Sequence, residues 1–188
     1  MGIRLHQYEY KGRGRSQTLP SKYFLRKQHR SIGISENEII KIAIKTLGLD
    51  ELSPFTPKER VIEYMLADNN NPLINMKLSE FANETSSESP APGGGSISAY
   101  CGALGAALAT MVANLSAHKR GWDDRWEEFS DWAEKGLQYQ NQLLELVDED
   151  TKAFTKIMNA FQLPKETDTE KEKRNKAIQE ATKYAILT

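Results

Sequence analysis

The sequence predicts an all-α protein: a helical bundle, incomplete at its C-terminus, preceded by a small, mainly helical N-terminal appendage. Three observations lead there. Beyond residue 75 no alternating strand pattern appears. Apolar residues instead recur at spacings of three and four over long stretches. Residues that start and stop helices stand at the ends of those stretches.

Residues 1–20 read as irregular, a polar run punctuated by Gly12, Gly14 and Pro20. A short amphipathic helix fits Tyr23 to Arg30. Ser35 can cap the next helix, with Glu38 three residues on. Ile39, Ile40, Ala43, Ile44 and Leu47 form its apolar face, and Gly48 stops it. Thr56-Pro57 opens a further helical turn. Residues 68–76 contain DNNNPLIN, polar and without periodicity, and read as a linker between residues 1–67 and residues 77–188. Ser79 is placed to cap the helix that follows. A small-residue helix then runs from Ser96 to about His118 and breaks at Gly121. A long helix spans about Asp123 to Phe161. A last one starts at Thr167 or Thr169 and reaches the final residue, leaving an apolar face without a partner inside the chain.

Of the 188 residues, 39% are apolar and 27% charged, as in soluble globular proteins. The net charge of −1 gives no global reason to expect nucleic acid or a membrane surface as a partner. The first 30 residues hold eight Lys/Arg and one acid, Glu9, which reads as a solvated segment. Cys101 stands alone, so no disulfide framework forms, a reducing cytoplasm fits, and the thiol reads as a small core group. No signal peptide is evident. Ile97 to Leu115 is uncharged and long enough to span a bilayer, but its Ala, Gly, Ser and Thr content points to a helix buried on most sides by other helices.

The most unusual local feature is Ser89-Pro90-Ala91-Pro92-Gly93-Gly94-Gly95-Ser96. Glycines allow close approach of a ligand or another backbone. They lead directly into a helix N-terminus, whose free N–H groups and dipole favour an anion. No strand precedes the turn and no Gly-Lys-Ser ends it, so it is neither a dinucleotide fingerprint nor a P-loop. Either it contacts a ligand or it is a tight turn that lets a small-residue helix pack closely.

On the long helix, Trp132, Tyr139, Leu143, Leu146, Val147, Phe154, Ile157, Met158 and Phe161 define an apolar stripe. Asp150 falls in the middle of it, whereas Asp148 and Glu149 point away and read as solvated. A carboxylate on a buried stripe must be hydrogen-bonded, paired or protonated. Desolvation favours the protonated form and suits proton transfer near neutral pH. The alternative is a structural Asp that pairs with a cation or caps another helix. Lys119 and Arg120, beside His118, either complement the C-terminal end of the small-residue helix or hold a substrate carboxylate. The three histidines share no ligand spacing, so no metal site is expected.

At these residues the chain resembles a known family. SPAPGGGSISAYCGALGAALATMVANL (89–115), LVDEDTKAF (146–154) and LPKETD (163–168) are similar to formimidoyltetrahydrofolate cyclodeaminase. Tyr23 to Tyr64, beginning YFLRKQHRSIGI, resembles the C-terminal end of glutamate formimidoyltransferase, which is often fused ahead of the cyclodeaminase.

The resemblance implies a cytoplasmic, all-helical homodimer or higher homo-oligomer in folate one-carbon metabolism and histidine degradation. It would close 5-formimidoyltetrahydrofolate to 5,10-methenyltetrahydrofolate with release of ammonia. Its substrate is a tetrahydrofolate derivative, and neither metal nor redox cofactor is needed. The base is the second Asp of Leu-Val-Asp-x-Asp, here Asp150. Pro92, Gly93, Gly94, Gly95, Ser96, Lys119 and Arg120 are the expected substrate contacts. Most of the transferase is absent, so no transferase activity is expected, and the family's helices continue beyond Thr188. Two other readings stay open: a methenyltetrahydrofolate cyclohydrolase, and a non-catalytic helical oligomerisation fragment.

Overall fold

The structure, a computed structural model, describes residues 20–66 and 71–188. The basic stretch from Arg4 to Arg15 and most of the DNNN part of the linker lie outside the described residues. The described chain is helical without β-sheet, as expected. In order come α1 (Pro20–Lys27), α2 (Glu36–Thr46), α3 (Pro57–Arg60), α4 (Ile62–Leu66), α5 (Leu78–Thr85), α6 (Gly94–Ala117), a 3-10 turn (Asp123–Arg125), α7 (Trp126–Phe161) and α8 (Asp168–Leu187).

Local chemistry sets most of the ends. Ser35 caps α2 by accepting the Glu38 N–H, and the positive φ of Gly48 and Gly121 follows α2 and α6. At α8, Thr167 Oγ1 accepts the Glu170 N–H while Glu170 accepts the Thr167 N–H at 2.9 Å, a reciprocal capping box. Two starts move. α5 begins at Leu78, where the Lys77 N–H donates to Glu80, instead of being capped by Ser79. α6 begins at Gly94, two residues before Ser96.

The chain divides into two compact units, and α6 and α7 each contribute a part to both. The first combines the described residues before 70 with Ala106–Gln138. Leu25, Ile39, Ile40, Ile44 and Val61 supply its apolar interior. Its most tightly held segment is Ser31-Ile32-Gly33. Ile32 is fully buried, and its N–H donates to Ser130 Oγ at 3.0 Å. Asn114 of α6 accepts from Ser31 Oγ at 2.6 Å and donates to the Gly33 carbonyl at 2.7 Å. Gly33 lies so close to the Ala133 backbone that a Cβ there would collide. The tripeptide is thus seated against α6 and α7 by hydrogen bonds to a side chain of each helix. Lys22 pairs with Glu134 at 2.6 Å and Arg26 with Asp131 at 2.9 Å in the same unit.

The second unit comprises Asn70–Gly105 and Tyr139–Thr188. Leu73, Ala103, Val147, Ala153, Ala160 and Ala181 are buried there, together with Ser96 and Asp148. Phe81 of α5 packs against Tyr100 of α6, ring centroids 5.4 Å apart.

Three expectations are corrected. Trp132, Tyr139, Phe154, Met158 and Phe161 are exposed, and the buried face of α7 is built from Ser130, Ala133, Val147, Asp148, Ala153 and Ala160. Small side chains let neighbouring backbones come close, so they occupy the contact while the bulky residues stay outside. α6 is not surrounded: 17% of its most apolar 18-residue stretch is buried, and Leu104, Leu108, Met111, Val112 and Leu115 are exposed, as is Cys101. Asp148 is not solvated; it is 2% exposed and accepts the N–H groups of Leu73 and Ile74 at 2.9 and 3.1 Å. Two charge-assisted hydrogen bonds offset its desolvation.

Candidate active site

The second unit brings the glycine-rich turn and Asp150 together. Pro92 is buried behind a cis Ala91–Pro92 bond, and Gly93 supplies the first carbonyl of α6, accepting from Ile97 at 3.1 Å. The amides of Gly94, Gly95 and Ser96 therefore have no carbonyl partner within the helix. The anion expected at this helix start is present, and it is the protein's own. Asp150 Oδ2 accepts the Ser96 N–H at 2.9 Å and Ser96 Oγ at 3.1 Å. Ser96 Oγ also reaches the Val147 carbonyl at 2.7 Å and Thr151 Oγ1 at 3.3 Å. The helix dipole and the two donors stabilise the carboxylate at this point.

Gly95 is required by proximity. A Cβ there would run into the Asp150 carboxyl group, whereas one at Gly94 would meet open space. Any side chain at 95 would thus displace the acid. Beside it lies a cavity of about 340 Å³, lined by Gly95, Ser98 and Ala99 of α6, Leu143, Leu146 and Asp150 of α7, and Thr188. Ser98 Oγ is spent on the Gly94 carbonyl at 2.8 Å. Asp150 has the one ionisable side chain among these lining residues, set against leucine and alanine walls. Such a site suits a largely apolar ligand that presents a hydrogen-bond donor to a carboxylate.

Of the expected site residues, Gly93, Gly95 and Ser96 lie against Asp150 within the second unit. Lys119 and Arg120 belong to the first unit, just after the end of α6. There the Lys119 ammonium sits 4.3 Å from the Trp122 ring centroid, and Arg120 is exposed. Trp122 stacks on Phe129 at 5.2 Å with Arg125 over both rings, so this end is a cation–aromatic surface. Among the described residues no group of three or more His, Cys, Asp or Glu is placed to hold a metal. The roles of Thr151 and Val147 beside Ser96 were not legible in the sequence, since no local pattern marks the acceptor of a buried hydroxyl.

Residues 77–188, which contain the turn, Asp150 and the cavity, match the family model described as formiminotransferase-cyclodeaminase. The chain belongs to the formiminotransferase-cyclodeaminase family. Residues 17–67 match the formiminotransferase domain. The formimidoyltransferase-cyclodeaminase of Rattus norvegicus is 38% identical over 155 residues, 81% of this chain and 29% of that protein. Its counterpart in Gallus gallus is 36% identical over 168 residues, 88% of this chain and 31% of that protein. The methenyltetrahydrofolate cyclohydrolase of Methylorubrum extorquens is 38% identical over 111 residues, covering 59% of this chain and 53% of that protein. The chain thus spans under a third of the length of the formimidoyltransferase-cyclodeaminases it matches.

Proposed function

We propose that this chain carries the cyclodeaminase chemistry of its family: closure of 5-formimidoyltetrahydrofolate to 5,10-methenyltetrahydrofolate with loss of ammonia, and Asp150 as proton shuttle. The observation that carries the reading is a carboxylate gripped by a helix N-terminus at the wall of an apolar cavity.

The steps balance with one acid and no cofactor. N10 of the folate attacks the carbon of the protonated formimidoyl group on N5, forming the N10–C bond. Asp150 takes the N10 proton. It then returns that proton to the former imino nitrogen, the C–N bond breaks, and ammonia leaves with the bonding pair. The methenyl bridge keeps the positive charge that the protonated substrate brought in. Proton transfer of this kind contributes roughly 10²- to 10⁴-fold, and holding N10 beside the carbon adds the orientation term. Leu143 and Leu146 supply an apolar surface for a pterin ring.

The same reading makes the protein a homo-oligomeric, cytoplasmic participant in folate one-carbon metabolism and histidine degradation. Its support for association is the exposed apolar residues along α6. Ammonia release from 5-formimidoyltetrahydrofolate by the 188-residue chain tests the proposal, with Asp150→Asn as control. Turnover retained by the Asn variant refutes the role of Asp150. Similarity to a protein named methenyltetrahydrofolate cyclohydrolase supports a second reading, in which water opens the methenyl ring at the same cavity. Hydrolysis of methenyltetrahydrofolate without ammonia release from the formimidoyl substrate would select it.

A further inference from the structure

We infer that Ser96 is a positioning residue for Asp150: it occupies Oδ2 and leaves Oδ1 as the oxygen that takes up and returns the proton. The inference rests on the proton-shuttle reading above and deepens it. Ser96 is 0% exposed, so a substrate does not reach it without displacing protein. Both of its donors converge on a single oxygen, the N–H at 2.9 Å and the hydroxyl at 3.1 Å from Oδ2. Among the described residues no donor is hydrogen-bonded to Oδ1. The two oxygens of one carboxylate are therefore unequal, and the less occupied one is the better site for a proton.

The hydroxyl has one proton and three oxygens within reach: Asp150 Oδ2, the Val147 carbonyl at 2.7 Å and Thr151 Oγ1 at 3.3 Å. With Asp150 ionised, donation to Oδ2 is favoured by its charge. When Oδ1 holds a proton, Oδ2 becomes a neutral carbonyl oxygen, a weaker acceptor, and the hydroxyl turns to the Val147 carbonyl. That carbonyl lies in the same turn of α7, so the move needs only rotation about the Ser96 C–O bond. Ser96 follows the charge of Asp150 while the backbone amide keeps the carboxylate in place. Gly95 completes the arrangement, since any Cβ there would take the room that the carboxyl group uses.

The test replaces Ser96 by Ala, by the near-isosteric but weak donor Cys, and by Thr, in the 188-residue chain. Ala and Cys lower kcat for ammonia release about tenfold, the scale of losing one charge-assisted bond to a reacting group, and leave KM within about twofold. Thr, which keeps a hydroxyl, restores most of kcat. Independently of turnover, the 13Cγ resonance of Asp150 moves in the Ala and Cys variants and returns in the Thr variant. A raised KM with unchanged kcat would make Ser96 a substrate ligand and overturn the inference. An unmoved Asp150 resonance would overturn it as well. The two failures separate cleanly: turnover by Asp150→Asn removes the shuttle itself, whereas an inactive Asn variant beside fully active Ala and Cys variants at 96 removes only the role of Ser96.

Discussion

Asp148 Oδ1 accepts the N–H of Leu73 at 2.9 Å across 75 residues of chain, two positions before the acid assigned to proton transfer. The two carboxylates of Leu-Val-Asp-x-Asp therefore have separate tasks in the second unit. Asp148 holds the segment leading into α5, and Asp150 holds the start of α6. Removing the first leaves one buried and one part-buried backbone donor without a partner. Asp148→Ala is expected to cost about 3 kcal/mol in urea denaturation. The Asn variant, which keeps one acceptor oxygen, loses less. A change under about 0.5 kcal/mol for Ala would show that the segment is not anchored there.

Gly95→Ala tests the close approach at the site. A methyl group there overlaps the Asp150 carboxyl group and pushes it from the cavity. Ammonia release should fall by at least about 100-fold, as for loss of general acid–base catalysis, while far-UV circular dichroism stays unchanged. Gly94→Ala, whose Cβ meets open space, is the matched control and keeps most of the activity.

The seated tripeptide gives a prediction about the first unit. Ile32→Ala removes a fully buried side chain and is expected to cost about 3 kcal/mol. Asn114→Ala loses both bonds to Ser31 and Gly33 and is expected to cost about 2 kcal/mol. The pair should be less than additive in denaturant titrations, because both changes release the same segment.

The capping box of α8 is pH-dependent with a definite sign. Hydrogen bonds from the backbone N–H of Thr167, then from its side chain, hold the Glu170 carboxyl below its usual value of 4.5. A depressed folded value means stability that is present above the ordinary value and lost as pH falls through the lowered one. Glu170→Ala should lower Tm at pH 7, and the gap from the parent protein should close on acidification through that range. A gap that persists in acid would show that the charge is not what caps the helix.

How far the sequence reads depends on the range of the interaction. Ser35, Gly48, Gly121 and Thr167–Glu170 mark helix ends correctly, because a cap or a positive φ is settled within a few residues. The glycine-rich turn and Asp150 are each conspicuous in the sequence, the first by composition and the second by its place among apolar residues. Their meeting is not, since it joins residues 54 apart.

The apolar stripe of α7 misleads for a physical reason. Periodicity reports which residues share a face, and not whether another element arrives to cover it. Small residues such as Ser130, Ala133 and Ala153 take the close contacts, and hydropathy ranks them low as core candidates. The sequence by itself determined the helical class, most of the local boundaries and the two motifs of the site. The tertiary structure alone decided which acid is buried, which oxygen is held, and that the anion at the head of α6 is Asp150, because each depends on a donor brought from a distant part of the chain.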